Sequence, residues 1–365
     1  MYRRAQILVA GLAVLVGGGA IVASVVSGHH LIDPEGSFLG PSWARLPLLL
    51  GAAILVDLLP RALWFSKGRP KEFAAIFLER IRAHWSKERL TLVALGVIGF
   101  YIVYVGYRNL KSFLPFLIGT KYDRDLDLID SAVLFGHHPG VVMQDIFGTG
   151  FMAYVFSYIY LWFLPLVPIA VTVWIVWSRN LAYGYWFVGA QCIAWTLGTI
   201  SYYCLPTLGP GLAYSYRYAG QPDTPAKQLM DALVDGRQRV RWDHVFDAVQ
   251  SVAGFASLHC AITLLTALMV QYTVNNRFAR IFFWVNFAVT ALATVYFGWH
   301  YLSDDVAGVM IALVSFYLAG LAAGQRFQRK GVRDLATERA AISARERRAV
   351  TSGAPAPDIE PVETT

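Results

Sequence analysis

"GFMAYVFSYIYLWFLPLVPIAVTVWIVW" (residues 150–177) contains no Asp, Glu, Lys, Arg or His. A helix rises about 1.5 Å per residue, so this run is longer than the roughly 30 Å of hydrocarbon in a bilayer requires. Apolar runs recur at about 5–26, 46–64, 90–107, 181–205, 257–273, 281–298 and 305–323. They are continuous, which excludes half-buried strands and surface helices. Composition agrees: of 365 residues, 56% are hydrophobic and 15% charged, against about 25% charged in soluble domains. The expected fold is all-α, a polytopic membrane bundle of about eight transmembrane helices. The weakest spans are 46–64, which holds Asp57 and Pro60, and the short 257–273.

A net charge of +7 in such a chain speaks to topology, not to nucleic acid. Lys and Arg concentrate at the amino end, around 65–89, near Arg277 and Arg280, and in the tail. They are sparser in 108–148, 206–256 and 299–304. The positive-inside rule then predicts cytoplasmic termini and a plasma-membrane protein with those three segments outside. The first run follows Arg3 and Arg4 but is long for a signal peptide, so a retained helix is expected.

Three regions are expected. Residues 1–89 hold two extra spans and an amphipathic helix in 70–89, with Phe73, Ile76, Phe77, Ile81 and Trp85 on one face. That helix either lies on the inner leaflet or packs on the bundle. Residues 90–325 form a six-helix membrane core. Residues 326–365 are a tail whose basic stretch, 326–348, is expected to be helical, and whose end, 351–365, should be disordered. Within the outer segments, "YDRDLDLIDSAVLFG" (122–136) places Leu126, Ile129, Val133 and Leu134 at helical spacing, as in a re-entrant helix. "PTLGPGLAYSYRYAG" (206–220) cannot continue the preceding helix. Cys192, Cys204 and Cys260 read as packing thiols, and Cys204 and Cys260 lie near enough to one membrane face for a bridge to be conceivable.

Chemistry concentrates where two histidines open apolar runs. His300 and Asp304 are four apart, one turn on a helix. A carboxylate there can hold one imidazole nitrogen and leave the other free as a nucleophile or base. His259 begins another span on the same side and can serve as the partner acid. Ser257, at that helix start, suits an anion cradle. Asp305 reads as a helix-start carboxylate facing away from His300. A phosphate site also needs a cation, for which Arg108, Lys111 and Arg217 are candidates. The bland reading of each histidine is a satisfied interfacial residue, and of each cation a headgroup anchor. His137 and His138 allow a metal site with His259, His300 and Asp304, but adjacent histidines rarely chelate together.

"ASLH" (256–259) and "ATVYFGWHYLSDDVAG" (293–308) resemble the type-2 phosphatidic acid phosphatase superfamily, and most closely its inositol phosphorylceramide synthase branch. "LPTLGPG" (205–211) fits as well, and the resemblance runs from about 90 to 323. It implies a lipid phosphotransferase: His300 attacks phosphorus and becomes a phosphohistidine, and Asp304 orients it. His259 protonates the leaving group, and Ser257 helps hold phosphate. It implies no metal or other cofactor. The implied substrate is a phospholipid or polyprenyl-phosphate-type lipid, with a polyol or sugar hydroxyl as acceptor. Thr294 stands where many members carry an arginine, as in the synthase branch, and Ala256 where a proline is usual. Competing expectations are a lipid phosphatase using water, a lipid or solute transporter, and an assembly protein with an inactive site.

Overall fold

The computed structural model describes residues 2–33, 40–67, 69–242, 254–328 and 331–334. Thirteen α-helices follow one another among them. They are α1 (Arg3–Ser27), α2 (Ser42–Ser66), α3 (Pro70–His84), α4 (Lys87–Leu117), α5 (Asp123–Val133), α6 (Pro139–Phe147), α7 (Phe151–Val176), α8 (Leu181–Cys204), α9 (Pro210–Ala213), α10 (Pro225–Trp242), α11 (Leu258–Thr273), α12 (Arg277–Tyr296) and α13 (Leu302–Ala322). Six of them, α1, α2, α4, α7, α12 and α13, are long and apolar enough to cross a membrane. The chain is an all-α, multi-pass membrane protein.

The other two expected spans are α8 and α11, and their sequences differ for a physical reason. Helix α8 sits at the centre, packed by α1, α4, α7, α11 and α13. Protein surrounds it, so it can carry Gln191, Thr196 and Thr199, all buried. Most of these polar groups are satisfied locally: Gln191 Oε1 accepts from Trp195 Nε1 at 3.1 Å, and both threonines donate to carbonyls one turn back at 2.7 Å, while Gln191 Nε2 has no partner. Helix α11 is apolar but only 16 residues long.

Small residues set the closest approach. Ala5, Val9, Ala13, Val16, Ala20 and Ala23 form a buried stripe on α1 at three- and four-residue spacing, facing α4. Lipid tails are as apolar as side chains, so tight packing of this kind drives helix association in a bilayer. Charges inside the bundle are likewise compensated. Arg89 is 3% exposed and donates to the carbonyls of Ile175, Val176 and Ser178, closing the carboxyl end of α7. Asp57, the charge within the second span, accepts two hydrogen bonds from Arg80 of α3, at 2.9 and 3.3 Å. The amphipathic face of α3 is thereby turned onto α2, and its Phe73, Ile76, Phe77 and Ile81 are half-buried.

In the tail the structure departs from the expected helix. Where the basic tail begins, Gln325–Gln328 and Gly331–Asp334 pair as an antiparallel hairpin instead of continuing as helix. Phe327 explains the change: its ring packs against Trp186, Phe316 and Tyr317, anchoring the chain across the end of the bundle. The remainder of the tail, with its expected helix and disordered end, lies outside the described residues. All three cysteines are free, with Cys260 buried and Cys204 exposed, so no Cys204–Cys260 bridge forms.

Candidate active site

The turn between α12 and α13 decides the site. Thr294 O accepts from Trp299 N at 2.9 Å and from His300 N at 3.3 Å, folding the chain back on the helix end. Asp304, in the first turn of α13, reaches back so that its Oδ2 accepts from Tyr301 N at 3.1 Å and faces His300 Nδ1 at 3.2 Å. This is why a carboxylate follows the histidine by four: it closes the helix start and orients the ring together.

His259 arrives from α11. Ser257 Oγ accepts from Cys260 N, and Ser257 N donates to Asp304 O at 2.9 Å, so the start of α11 is pinned to α13. Gly308 makes this possible, since a β-carbon there would strike the Ser257 carbonyl. The ring centroids of His259 and His300 are 6.2 Å apart. Tyr160 stacks on the His259 ring at 4.4 Å and Phe163 packs on it at 4.1 Å, both from α7. His300 is 4% exposed. Burial pushes it down to about 4, with Asp305 opposing and Lys111 reinforcing. The imidazole is therefore uncharged at neutral pH.

Of the candidate cations, Lys111 is the one whose charge reaches both imidazoles. Its ammonium lies over the rings of Tyr202 at 4.6 Å and Tyr107 at 5.9 Å. Arg108 neighbours it, with a buried Nε that has no hydrogen-bond partner. Arg217 lines a cleft of about 230 Å³ next to His300, but its guanidinium is committed to Asp127, at 2.7 and 3.3 Å. Burial opposes its charge, and the Asp127 pair more than compensates, holding it above the usual arginine range. Ser257 is fully buried as the cap of α11. His137 is exposed, while His138 lines the cleft with Nδ1 3.2 Å from Asp127 Oδ1. Among the described residues no group of three His, Cys, Asp or Glu is placed to hold a metal ion.

Sequence reasoning missed a second tier. Helix α5 carries Asp123, Asp127 and Asp130 at i, i+4 and i+7, one face of a helix. Asp123 accepts from the N–H groups of Leu208 and Gly209 and from the Tyr301 hydroxyl. Asp127 holds Arg217. Asp130 accepts from Leu302 N at 2.5 Å and Ser303 N at 3.1 Å, capping α13. Burial raises Asp123 and Asp130 above the ordinary carboxylate range, with those donors opposing. The apolar spacing read in this segment concealed the acidic spacing, and Ile129 and Val133 are half exposed. The proline-glycine segment packs backbone to backbone on the histidine turn. Gly209, at φ +86, leaves no room for a β-carbon beside the Trp299 carbonyl. Asp305 does not turn away from the site: it is 7% exposed, accepts from Thr294 Oγ1 at 2.8 Å, and acts electrostatically on His300.

Fold and site together define a multi-pass membrane protein in which a histidine on α11 meets one in the turn between α12 and α13. The chain belongs to the PAP2 superfamily, whose model matches residues 124–318. The match begins later than the resemblance read from about residue 90, so α1–α4, with Arg108 and Lys111, lie outside it. Membership supports an enzyme of the phosphatase type. Neither a characterised protein nor a solved structure gave a match.

Proposed function

We propose that this protein transfers a phosphoryl group, or a phosphate-linked headgroup, from a lipid-borne ester to a hydroxyl acceptor through a phosphohistidine on His300. The convergence of His259 and His300 at 6.2 Å carries the reading. With Nδ1–H directed at Asp304, His300 presents the Nε2 lone pair. Nε2 attacks phosphorus, the bond from phosphorus to the leaving oxygen breaks, and His259 supplies that oxygen with a proton. His259 then takes a proton from the acceptor hydroxyl, whose oxygen displaces Nε2 and carries the phosphoryl group away. Lys111 neutralises charge growing on the phosphoryl oxygens, a role Arg108 can share. Ser257 contributes by fixing the α11 terminus that carries His259. The helices from α4 onward form the catalytic core, and the positive-inside pattern supports an outward-facing site in the plasma membrane.

Thr294, in place of an arginine, supports likeness to the inositol phosphorylceramide synthase branch, and thus transfer to a polyol over hydrolysis. Burial of His300 points the same way, since a dry site disfavours water as acceptor. The test is incubation of the purified protein with head-labelled phospholipid, with and without inositol. Label should pass to the polyol, and an acid-labile phosphoryl group should be trapped on His300. Free phosphate as the sole product defeats the transferase reading in favour of a phosphatase. Absence of both turnover and protein-bound label defeats the enzymatic reading.

A further inference from the structure

Asp305 is a buried acidic residue with no part in the proposed phosphoryl transfer. It stands in the first turn of α13, and side chains from two other helices meet it. Its Oδ2 accepts from Thr294 Oγ1, in the last turn of α12, at 2.8 Å. Its Oδ1 is buried and makes no full hydrogen bond, while the Ser257 hydroxyl and the Cys260 thiol, at the start of α11, act on the carboxylate as weaker donors. All three of these partners are fully buried. Ser257 and Cys260 flank His259 in the chain. Thr294 also accepts the His300 N–H on its backbone carbonyl, at 3.3 Å. One threonine thus holds Asp305 with its hydroxyl and the second histidine with its backbone. A continuous path of contacts runs from the residues around His259, through Asp305 and Thr294, to His300.

We propose that Asp305 is a positioning residue: its carboxylate ties the His259-bearing start of α11 to the end of α12 and so sets the separation of the two imidazoles. The inference rests on phosphoryl transfer by that pair and adds what keeps the pair in register. A carboxylate suits the task. It has only acceptor oxygens, with about four lone-pair directions between them, so it can face two hydroxyls and a thiol at once. A charge buried here without such donors would be costly. The backbone bond from Ser257 N to Asp304 O pins α11 to α13 but does not touch α12. The Asp305 side chain brings α12 into the same junction, together with the turn that carries His300. The centroids of the two rings stand 6.2 Å apart across that junction. Transfer between two imidazoles is sensitive to this distance, since a misplacement of about 1 Å can cost about 10²-fold in rate.

Two measurements on the full-length protein in nanodiscs test this, and the first does not depend on activity. Asp305→Leu removes every acceptor at little change in volume. In protein labelled with ¹⁵N-histidine it should shift the ring signals of both His259 and His300, assigned through His259→Gln and His300→Gln. His84, bonded to the Val176 carbonyl at the carboxyl end of α7, should stay in place. The charge of Asp305 weighs on His300, whereas His259 feels those of His300 and Lys111, so a shift of His259 reports position. A shift confined to His300, or no shift of either ring, overturns the proposal. The second measurement is turnover of head-labelled phosphatidic acid. Asp305→Leu should lower kcat about 10²-fold with KM changed less than about threefold. Asp305→Asn, which retains an acceptor for Thr294, should return to within about tenfold of wild type. In the His300→Ala background Asp305→Leu should lower the residual rate no further; an equal loss in both backgrounds marks a general folding defect and overturns the proposal. Thr294→Val breaks the same path from its other end and takes the place of Asp305→Leu should that variant fail to fold. If the wild-type protein turns over no lipid phosphate, the proposed chemistry fails and the ring signals still decide the positioning.

Discussion

The two tiers of the site are built on opposite principles. At the rim, α5 spends three carboxylates on partners that neutralise or cap them: backbone N–H groups, the Tyr301 hydroxyl, Arg217 and the start of α13. Beside it, His259 lies between the rings of Tyr160 and Phe163 and faces His300, with a lysine charge near both imidazoles and a carboxylate against His300. A compensated charge holds structure together, because its field is spent on its partner. Charges and lone pairs left uncompensated in a low-dielectric pocket retain the capacity to act on a substrate. The same residue types therefore do different work a few ångströms apart.

That contrast can be broken by substitution. His300→Ala should produce the largest effect, a loss of at least about 10⁴-fold in kcat, because the attacking atom is gone; a residual rate within tenfold of wild type would remove His300 from the chemistry. Lys111→Met should lower kcat by about 10²–10³-fold, the scale of one lost donor to a developing oxyanion, with little change in KM. At the rim the signature reverses. Asp130→Ala should cost about 1 kcal/mol of stability by uncapping α13, seen as a drop of a few degrees in Tm, while kcat falls less than tenfold. A collapse of kcat with unchanged Tm would make Asp130 part of the chemistry instead.

The smallest effect concerns pH. The neutral form of His300 is the nucleophile, and burial depresses this group to about 4. Its contribution to kcat/KM is therefore fully present at neutral pH and is lost as pH falls through about 4, below the 6.5 of a free imidazole. The negative charge of Asp305 raises His300. Asp305→Asn should accordingly move that acid limb to still lower pH, and a shift upward would show that Asp305 acts by another route.

Much was legible before any coordinates. The apolar runs required a membrane bundle, since no other arrangement satisfies so many backbone groups in lipid. Spacing paired His300 with Asp304, but the contact is a helix-start one and not a helical turn: His300 precedes α13, and Asp304 reaches back to it. The acidic face of α5 was legible too, at positions 123, 127 and 130, but the hydrophobic pattern in the same segment drew the reading. The tail hairpin was not legible: local propensity favoured helix, and the outcome rests on Phe327 finding Trp186 and Phe316, distant in sequence.

The sequence by itself determined the membrane, the helices and the residue types able to do chemistry, because each depends on composition or on periodicity within one element. Only the tertiary structure decided which cation joins the histidines, that Arg217 is already committed, and that Asp305 lies within the site. Those outcomes depend on which helix faces which, and side-chain charges act over a few ångströms of space, not along the chain.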